Sequence, residues 1–235
     1  MSKVSNNFLS TMATSSFARF KENSTILGEQ ELLDRVSEVK PNQTFVLNSQ
    51  DFCLIAEIKK TSPSSGKLSR DDFHMREQAS DYIKGKADII SVLTEPSRFS
   101  GSLDDLTELS EAFPDVAFMR KDFLVHPYQV SEALYYGARG VLLIAAILDE
   151  EQLEEMIKRA LQHNMFVLLE AFNKEELEQS CAVISRFRGS EDSLMLGVNS
   201  RDLKSLEVDF RRFNSLSQLL PQGITCIAES GILNS

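Results

Sequence analysis

From Cys53 onward, short apolar runs rich in β-branched residues alternate with amphipathic segments. The runs are Cys53–Lys59, Asp88–Leu93, Val116–Arg120, Gly140–Ala146, Met165–Leu169, Ser193–Val198 and Ile224–Ala228, and their length and composition predict strands. The segments between them carry helical periodicity. In Asp149–His163, for example, Leu153, Met156, Ile157, Ala160 and Leu161 share one stripe, and acids open the segment, as the positive end of a helix favours. Repeated βα units of this length predict a parallel sheet.

Comparable strand ends fall at Glu57, Thr94, Lys121, Ala145, Glu170, Asn199 and Glu229, spaced 37, 27, 24, 25, 29 and 30 residues apart. That regularity favours a TIM (βα)8-type barrel over an open, doubly wound sheet, whose Gly-x-Gly-x-x-Gly fingerprint is missing after the first strand. Gly66-Lys67 makes no P-loop, because Leu68 stands where Ser or Thr is needed and Thr61 where the leading Gly belongs. Before the first strand, residues 17–52 hold one helical stripe, Leu32, Leu33, Val36 and Val39, read as an N-terminal capping helix across the barrel. Residues 1–16 read as a disordered leader, since the chain is rich in Ser, Thr and Asn there and has no acid before Glu22. The expected division is leader 1–16, extension 17–52 and barrel 53–235.

Composition narrows the function classes. The chain has 235 residues, 42% hydrophobic and 26% charged, enough for one large domain with a buried core. A net charge of −10 and a pI near 4.9 argue against nucleic acid and anionic membranes as partners. No apolar run approaches the roughly 18 residues of a membrane span; the longest, Val141–Leu148, suits a buried strand and its loop. Cys53, Cys181 and Cys226 have no CxxC spacing and read as reduced packing residues, with Cys53 and Cys226 buried in strands. A cytoplasmic location follows, with an organelle transit peptide in the acid-poor N-terminus as the alternative.

In a βα barrel, polar groups at the carboxyl ends of strands read as chemistry. Here those ends supply Glu57 and Lys59, then Arg120-Lys121-Asp122-Phe123, Glu170, Asn199 with Arg201, and Glu229-Ser230-Gly231. Period-two alternation puts Glu57 and Lys59 on one face of the first strand. Each residue alone has a bland reading, as an ion pair, a cap or a turn, but their recurrence at strand ends predicts one acid–base pocket. A metal centre is not expected, because His74, His126 and His163 are scattered without ligand-pair spacing. His74 and His163 read as helix-surface residues, and His126, before Pro127, as part of a loop entering a helix. Ser230-Gly231 reads as half of a phosphate grip made by backbone N–H groups.

These residues resemble the indole-3-glycerol phosphate synthase family of tryptophan biosynthesis. The resemblance rests on Ile55-Ala-Glu-Ile-Lys-Lys-Thr-Ser-Pro-Ser-Ser-Gly66, on Ser91-Val-Leu-Thr-Glu95 with Phe99-Ser-Gly-Ser102, and on Arg120-Lys-Asp-Phe123 with Pro127-Tyr-Gln129. Gly197-Val-Asn-Ser-Arg-Asp-Leu203 and Glu229-Ser-Gly-Ile232 complete it, all in family order. It implies a carboxy-lyase that turns 1-(2-carboxyphenylamino)-1-deoxyribulose 5-phosphate into indole-3-glycerol phosphate, carbon dioxide and water. Lys121 is then the general acid, Glu170 the base of the dehydration, and Lys59 a carboxylate contact and proton donor to the leaving hydroxyl. Glu57 orients Lys59 and the sugar hydroxyls, Asn199 hydrogen-bonds those hydroxyls, Glu229 binds substrate, Arg201 helps to hold the anthranilate carboxylate, and Phe99 and Phe123 flank the ring. Ser62, Ser230 and Gly231 contact the phosphate. A buried lysine is expected to have its pKa lowered toward neutrality, against the pull of a nearby carboxylate.

The resemblance implies no cofactor and no metal, since the carboxylate leaves a saturated ring carbon and rearomatisation drives its loss. The partner is a small-molecule substrate, and the chain is expected as a monomer or weak oligomer, with fusion to or association with other tryptophan-pathway enzymes left open. The family barrel continues past Glu-Ser-Gly-Ile with a helix, an eighth strand and a final helix, so the barrel expected here is truncated after the seventh strand. A non-catalytic remnant is the alternative; a related sugar-phosphate barrel such as phosphoribosylanthranilate isomerase would need a different acid–base pair.

Overall fold

A computed structural model describes residues 8–39, 52–62, 66–67, 74–201 and 208–230. Seven parallel strands form one sheet in strict sequence order: β1 (Ile55–Ile58), β2 (Ile89–Leu93), β3 (Ala117–Lys121), β4 (Gly140–Ile144), β5 (Phe166–Ala171), β6 (Leu194–Asn199) and β7 (Thr225–Glu229). Neighbour-to-neighbour order with a helix in most crossovers is a TIM-type α/β architecture. All seven strand candidates are present, several shifted by a residue or two. The fourth ends at Ile144 because Ala145–Ile147 turns into a 3₁₀ helix.

Two clusters of apolar side chains lie on opposite faces of the sheet. One contains Ile89, Ala117, Met119, Leu142, Ile144, Phe166, Leu168 and Met195. The other contains Ile90, Phe118, Val141, Leu143, Val167, Leu169, Leu194 and Leu196, together with helix residues. The alternation is that of a strand buried on both sides, and it places Glu57, Lys121, Glu170, Asn199 and Glu229 on the inner face.

Helices α1 (Phe8–Ile26), α2 (Glu29–Ser37), α3 (Met75–Lys84), α4 (Leu103–Ala112), α5 (Pro127–Tyr135), α6 (Glu150–Gln162), α7 (Lys174–Ile184) and α8 (Phe210–Ser217) complete the described elements used below. Their starts are written into the sequence. Asp149 accepts from the Gln152 N–H at 2.9 Å while Gln152 reaches back to the Asp149 N–H at 3.1 Å, a reciprocal cap that holds α6 at its first turn. The predicted stripe of α6 is buried through Leu153, Met156, Ile157 and Ala160. His126 caps α5 by accepting the Tyr128 N–H at 3.1 Å on Nδ1. His163 is not a free surface residue, for its Nε2 lies 2.9 Å from Ser131 Oγ.

Three expectations change. Helix α1 begins at Phe8, inside the stretch read as a leader, because Leu9, Met12, Ser16 and Phe20 form one buried stripe. The helix read as a cap, α2, packs on α5 outside the sheet through Leu32 and Val36; Val39 lies beyond its end. It is α1 that adds Leu9 and Met12 to the inner cluster. Cys53 and Cys226 are half-buried, as is Cys181, because Cys53 precedes β1 and Cys226 sits on β7, the two outermost strands of the described sheet. No described helix is long and apolar enough to cross a membrane.

Candidate active site

The inner face of β1 ends in Glu57, whose carboxylate is shared by two lysines. Lys121 Nζ at the end of β3 donates to Glu57 Oε2 at 2.6 Å, and Lys59 Nζ donates to Oε1. The two ammonium groups hold Glu57 down: burial alone would raise its pKa, but Lys121 and Lys59 prevail and it falls to about 2. Lys121 moves the other way. Burial pulls its pKa down, yet the carboxylates of Glu57, Glu229 and Glu170 outweigh burial and lift it above the ordinary lysine value. The lowering toward neutrality expected from the sequence is thus reversed, because three carboxylates face one ammonium.

Across the pocket, β5, β6 and β7 supply Glu170, Asn199 and Glu229. Register sets Glu170 beside Gly197 and Asn199 beside Glu229. Asn199 Nδ2 donates to Glu170 Oε1 at 2.8 Å, and its Oδ1 accepts the Arg201 N–H at 2.9 Å, which fixes the amide orientation. Both carboxyls are raised, Glu170 by burial and Glu229 more strongly by burial and by Glu170. They face each other closely enough to interact, and Glu229 Oε1 is buried without a hydrogen-bond partner. Burial disfavours the charged form of both, and the neighbouring Glu170 adds to this at Glu229. Gly197 makes the room: a Cβ there would meet Glu229 Oε1 at 2.1 Å.

The aromatic wall comes from two loops. Phe123 follows β3 and its ring centroid lies 6.2 Å from that of Phe99. Phe99 ends the short helix Pro96–Phe99, which buried Glu95 builds by accepting from the Ser97 N–H at 2.9 Å and the Arg98 N–H at 2.7 Å. Thr61 Oγ1 ties the loop after β1 to this turn by donating to Arg98 O at 3.1 Å. The turn returns at Gly101, where a Cβ would sit 2.0 Å from Leu93 O, so only glycine fits.

The structure therefore gathers Glu57, Lys59, Lys121, Glu170, Asn199 and Glu229 at one mouth, with Phe99 and Phe123 beside it. Arg201 follows β6 directly and pairs with Val208 in an isolated bridge. Ser230 follows β7 with φ of +67°, a left-handed conformation uncommon for serine. The backbone of Ser62 pairs with Gly66 in a two-residue antiparallel ladder; Gly231 lies outside the described residues. Sequence reasoning gives Gly197 no role and sets Arg120 and Asp122 in the pocket with Lys121, whereas both enter a buried ion-pair network behind the strand. Alternation around Lys121 is the signal that could have placed the last two, since opposite charges either side of an inward lysine must meet partners behind the strand.

The chain matches the family model described as indole-3-glycerol phosphate synthase over residues 12–235. It is similar to the protein of that name from Mycolicibacterium smegmatis, 37% identical over 209 residues, covering 88% of this chain and 73% of that one. The counterpart from Mycobacteroides abscessus is 40% identical over 186 residues, covering 79% and 65%. The chain thus spans between 65% and 73% of the length of these two relatives. Among solved structures, 3-keto-L-gulonate-6-phosphate decarboxylase from Vibrio cholerae matches with a TM-score of 0.55 at 13% identity, over 77% of this chain and 79% of that one. At that identity the likeness speaks to the fold alone.

Proposed function

This chain belongs to the indole-3-glycerol phosphate synthase family, and on that premise we propose that its strand-end pocket closes the indole ring of 1-(2-carboxyphenylamino)-1-deoxyribulose 5-phosphate. The observation that carries the reading is the pairing of Lys121 and Lys59 on one carboxylate, Glu57, opposite Glu170, which Asn199 holds, and Glu229, both raised by burial. One wall can give protons and the other can take them.

In this reading the ring carbon that bears the carboxylate attacks the ketone, and the Lys121 ammonium gives its proton to the forming alkoxide. The C–CO2 bond then breaks, its electron pair restores the aromatic ring, and carbon dioxide leaves. Glu170 takes a proton from the carbon beside nitrogen as the new hydroxyl departs, and Lys59 supplies the proton that makes it water. Asn199 holds the Glu170 carboxylate in line and, with Glu229, meets substrate hydroxyls. Arg201 holds the anthranilate carboxylate, Phe99 and Phe123 flank the ring, and Ser62, Ser230 and Gly231 take the phosphate. Residues 53–235 are the catalytic unit and the residues before them an N-terminal extension, with a small molecule as substrate and a monomer or weak oligomer in solution.

The test is turnover by the purified chain, read as indole fluorescence against a protein with no Trp. Activity is expected, and Lys121→Ala should lose at least about a hundredfold in kcat. A folded chain that gives no signal, or a Lys121→Ala rate near that of the parent, overturns the reading.

A further inference from the structure

Behind the inner face of β3, the residues either side of Lys121 enter a buried ionic network that reaches into the N-terminal helix. Asp122, fully buried, is gripped by the Arg19 guanidinium from α1, with Nη1 to Oδ2 at 2.8 Å and Nη2 to Oδ1 at 2.7 Å. Asp122 Oδ2 also accepts from Thr94 Oγ1 at 2.9 Å and Arg120 Nη2 at 3.3 Å, and Oδ1 accepts the Phe123 N–H at 2.8 Å. Arg120 in turn donates to Glu132 Oε2 at 2.8 Å, and Asn23 of α1 reaches Glu132 Oε1 at 2.7 Å. Ser16 Oγ accepts from Gln129 Nε2 at 2.9 Å. Ser16, Arg19 and Asn23 lie on one side of α1, spaced three and four residues apart, so the helix presents a polar stripe to the back of the β3 strand end.

We propose that Arg19 is a positioning residue: its fork on Asp122 sets the direction of the Lys121–Phe123 segment and so couples α1, in the extension, to the catalytic unit. The proposal rests on the reading of Lys121 as the acid. Arg19 is the first of the groups that favour the charged carboxylate, but Arg120, Thr94 and the Phe123 N–H also hold Asp122 and remain when it is removed. What Arg19 adds is planarity. Two parallel N–H···O bonds fix the carboxylate plane, and Lys121, one residue away, points to the opposite face from the same strand end. A small rotation of Asp122 therefore moves Nζ of Lys121 against Glu57 and moves the Phe123 ring, which also meets Phe8 of α1 edge-on at 5.8 Å. Misplacement by about an ångström can reduce a rate by about a hundredfold.

The test combines kinetics with chemical labelling. Arg19→Met should lower kcat by about tenfold to a hundredfold while KM moves by less than about threefold, and Arg19→Lys, which keeps charge but not the fork, should recover part of the loss. Placed in a Lys121→Ala background, Arg19→Met should change residual turnover by less than about twofold, since the residue it acts through is gone. Independently of turnover, competitive acetylation read by peptide mass spectrometry should show Lys121 modified at least about threefold faster in Arg19→Met, as its pair with Glu57 loosens. Far-UV circular dichroism and a melt well above assay temperature confirm folding, and Arg19→Lys serves if Arg19→Met does not fold. An unchanged kcat, or an equal loss in the Lys121→Ala background, overturns the proposal. Should the parent chain show no turnover, the functional reading fails on its own, and unchanged Lys121 labelling would then overturn the positioning role.

Discussion

Glu57→Gln separates aim from acidity at this site. The substitution keeps size and removes the charge that two lysines share, leaving one amide oxygen to accept from both. In the parent, Glu57 drops from 4.5 to about 2, roughly 3 kcal/mol of net attraction after burial has been overcome. A quarter of the side chain is exposed, so water at the mouth trims this to about 2 kcal/mol. The coupling is reciprocal. Losing it should lower the Lys121 pKa by at least about one unit, because burial then meets only the more distant Glu229 and Glu170.

A lower pKa would by itself make Lys121 the stronger acid. If acidity governed the rate, Glu57→Gln would equal or exceed the parent. We expect instead a fall of about a hundredfold in kcat, since both ammonium groups lose the acceptor that holds them in place. The assay pairs indole fluorescence with acetylation of Lys121 across pH, read by peptide mass spectrometry. A kcat within threefold of the parent would refute the orienting role of Glu57. A Lys121 titration that does not move would refute the electrostatic account of the pocket.

Three further outcomes follow from the same geometry. Glu170 must be ionised to act as base and its pKa is raised, so the acid limb of kcat/KM should lie above the ordinary glutamate value of about 4.3. Asn199→Ala removes a hydrogen bond that favours the carboxylate, worth about 1.5 kcal/mol, and should move that limb up by about one pH unit; a downward or absent shift contradicts the assignment. Gly197→Ala drives a methyl group into the Glu229 carboxyl and should lower the melting temperature by at least about 3 °C with loss of turnover, whereas a melt within a degree of the parent would show the strand can give way. Arg120→Met removes the guanidinium behind β3 from two buried acids and should lose about 3 kcal/mol in urea unfolding, a value near zero meaning that Arg19 and Asn23 suffice.

Much of this was legible in the pattern of the chain. The strands announced themselves because both faces of each are apolar, and α6 did so because Asp149 and Gln152 supply a cap just ahead of a clean stripe. The polar residues at strand ends were visible for the same reason, as interruptions of those apolar runs. Helix α1 was not, because its buried side includes Ser16 and Arg19, whose partners Gln129 and Asp122 lie 113 and 103 residues away. A stripe satisfied by remote polar groups looks like solvent-facing sequence until the partners are in place. The direction of the Lys121 shift failed for a related reason: burial can be read locally, whereas Glu57, 64 residues distant, cannot.

The two faces of β3 explain how, in the proposed ring closure, a strongly held Lys121 would still serve as an acid. Arg120 and Asp122 anchor the strand end from behind, and Lys121 faces carboxylates that keep it charged. Such an ammonium does not give its proton to a carboxylate or to water at neutral pH. The acceptor in ring closure is an alkoxide formed where the ketone oxygen was, a base far stronger than any carboxylate in the pocket. The proton therefore moves only when carbon–carbon bond formation has created that charge, so the raised pKa delays transfer to the step that needs it rather than preventing it. On the opposite wall the logic inverts: burial raises Glu170 and Glu229, and a base with a raised pKa is the better acceptor for a proton on carbon. In the proposed reaction, an acid under carboxylates and a base under burial would put the two roles on opposite sides of one mouth.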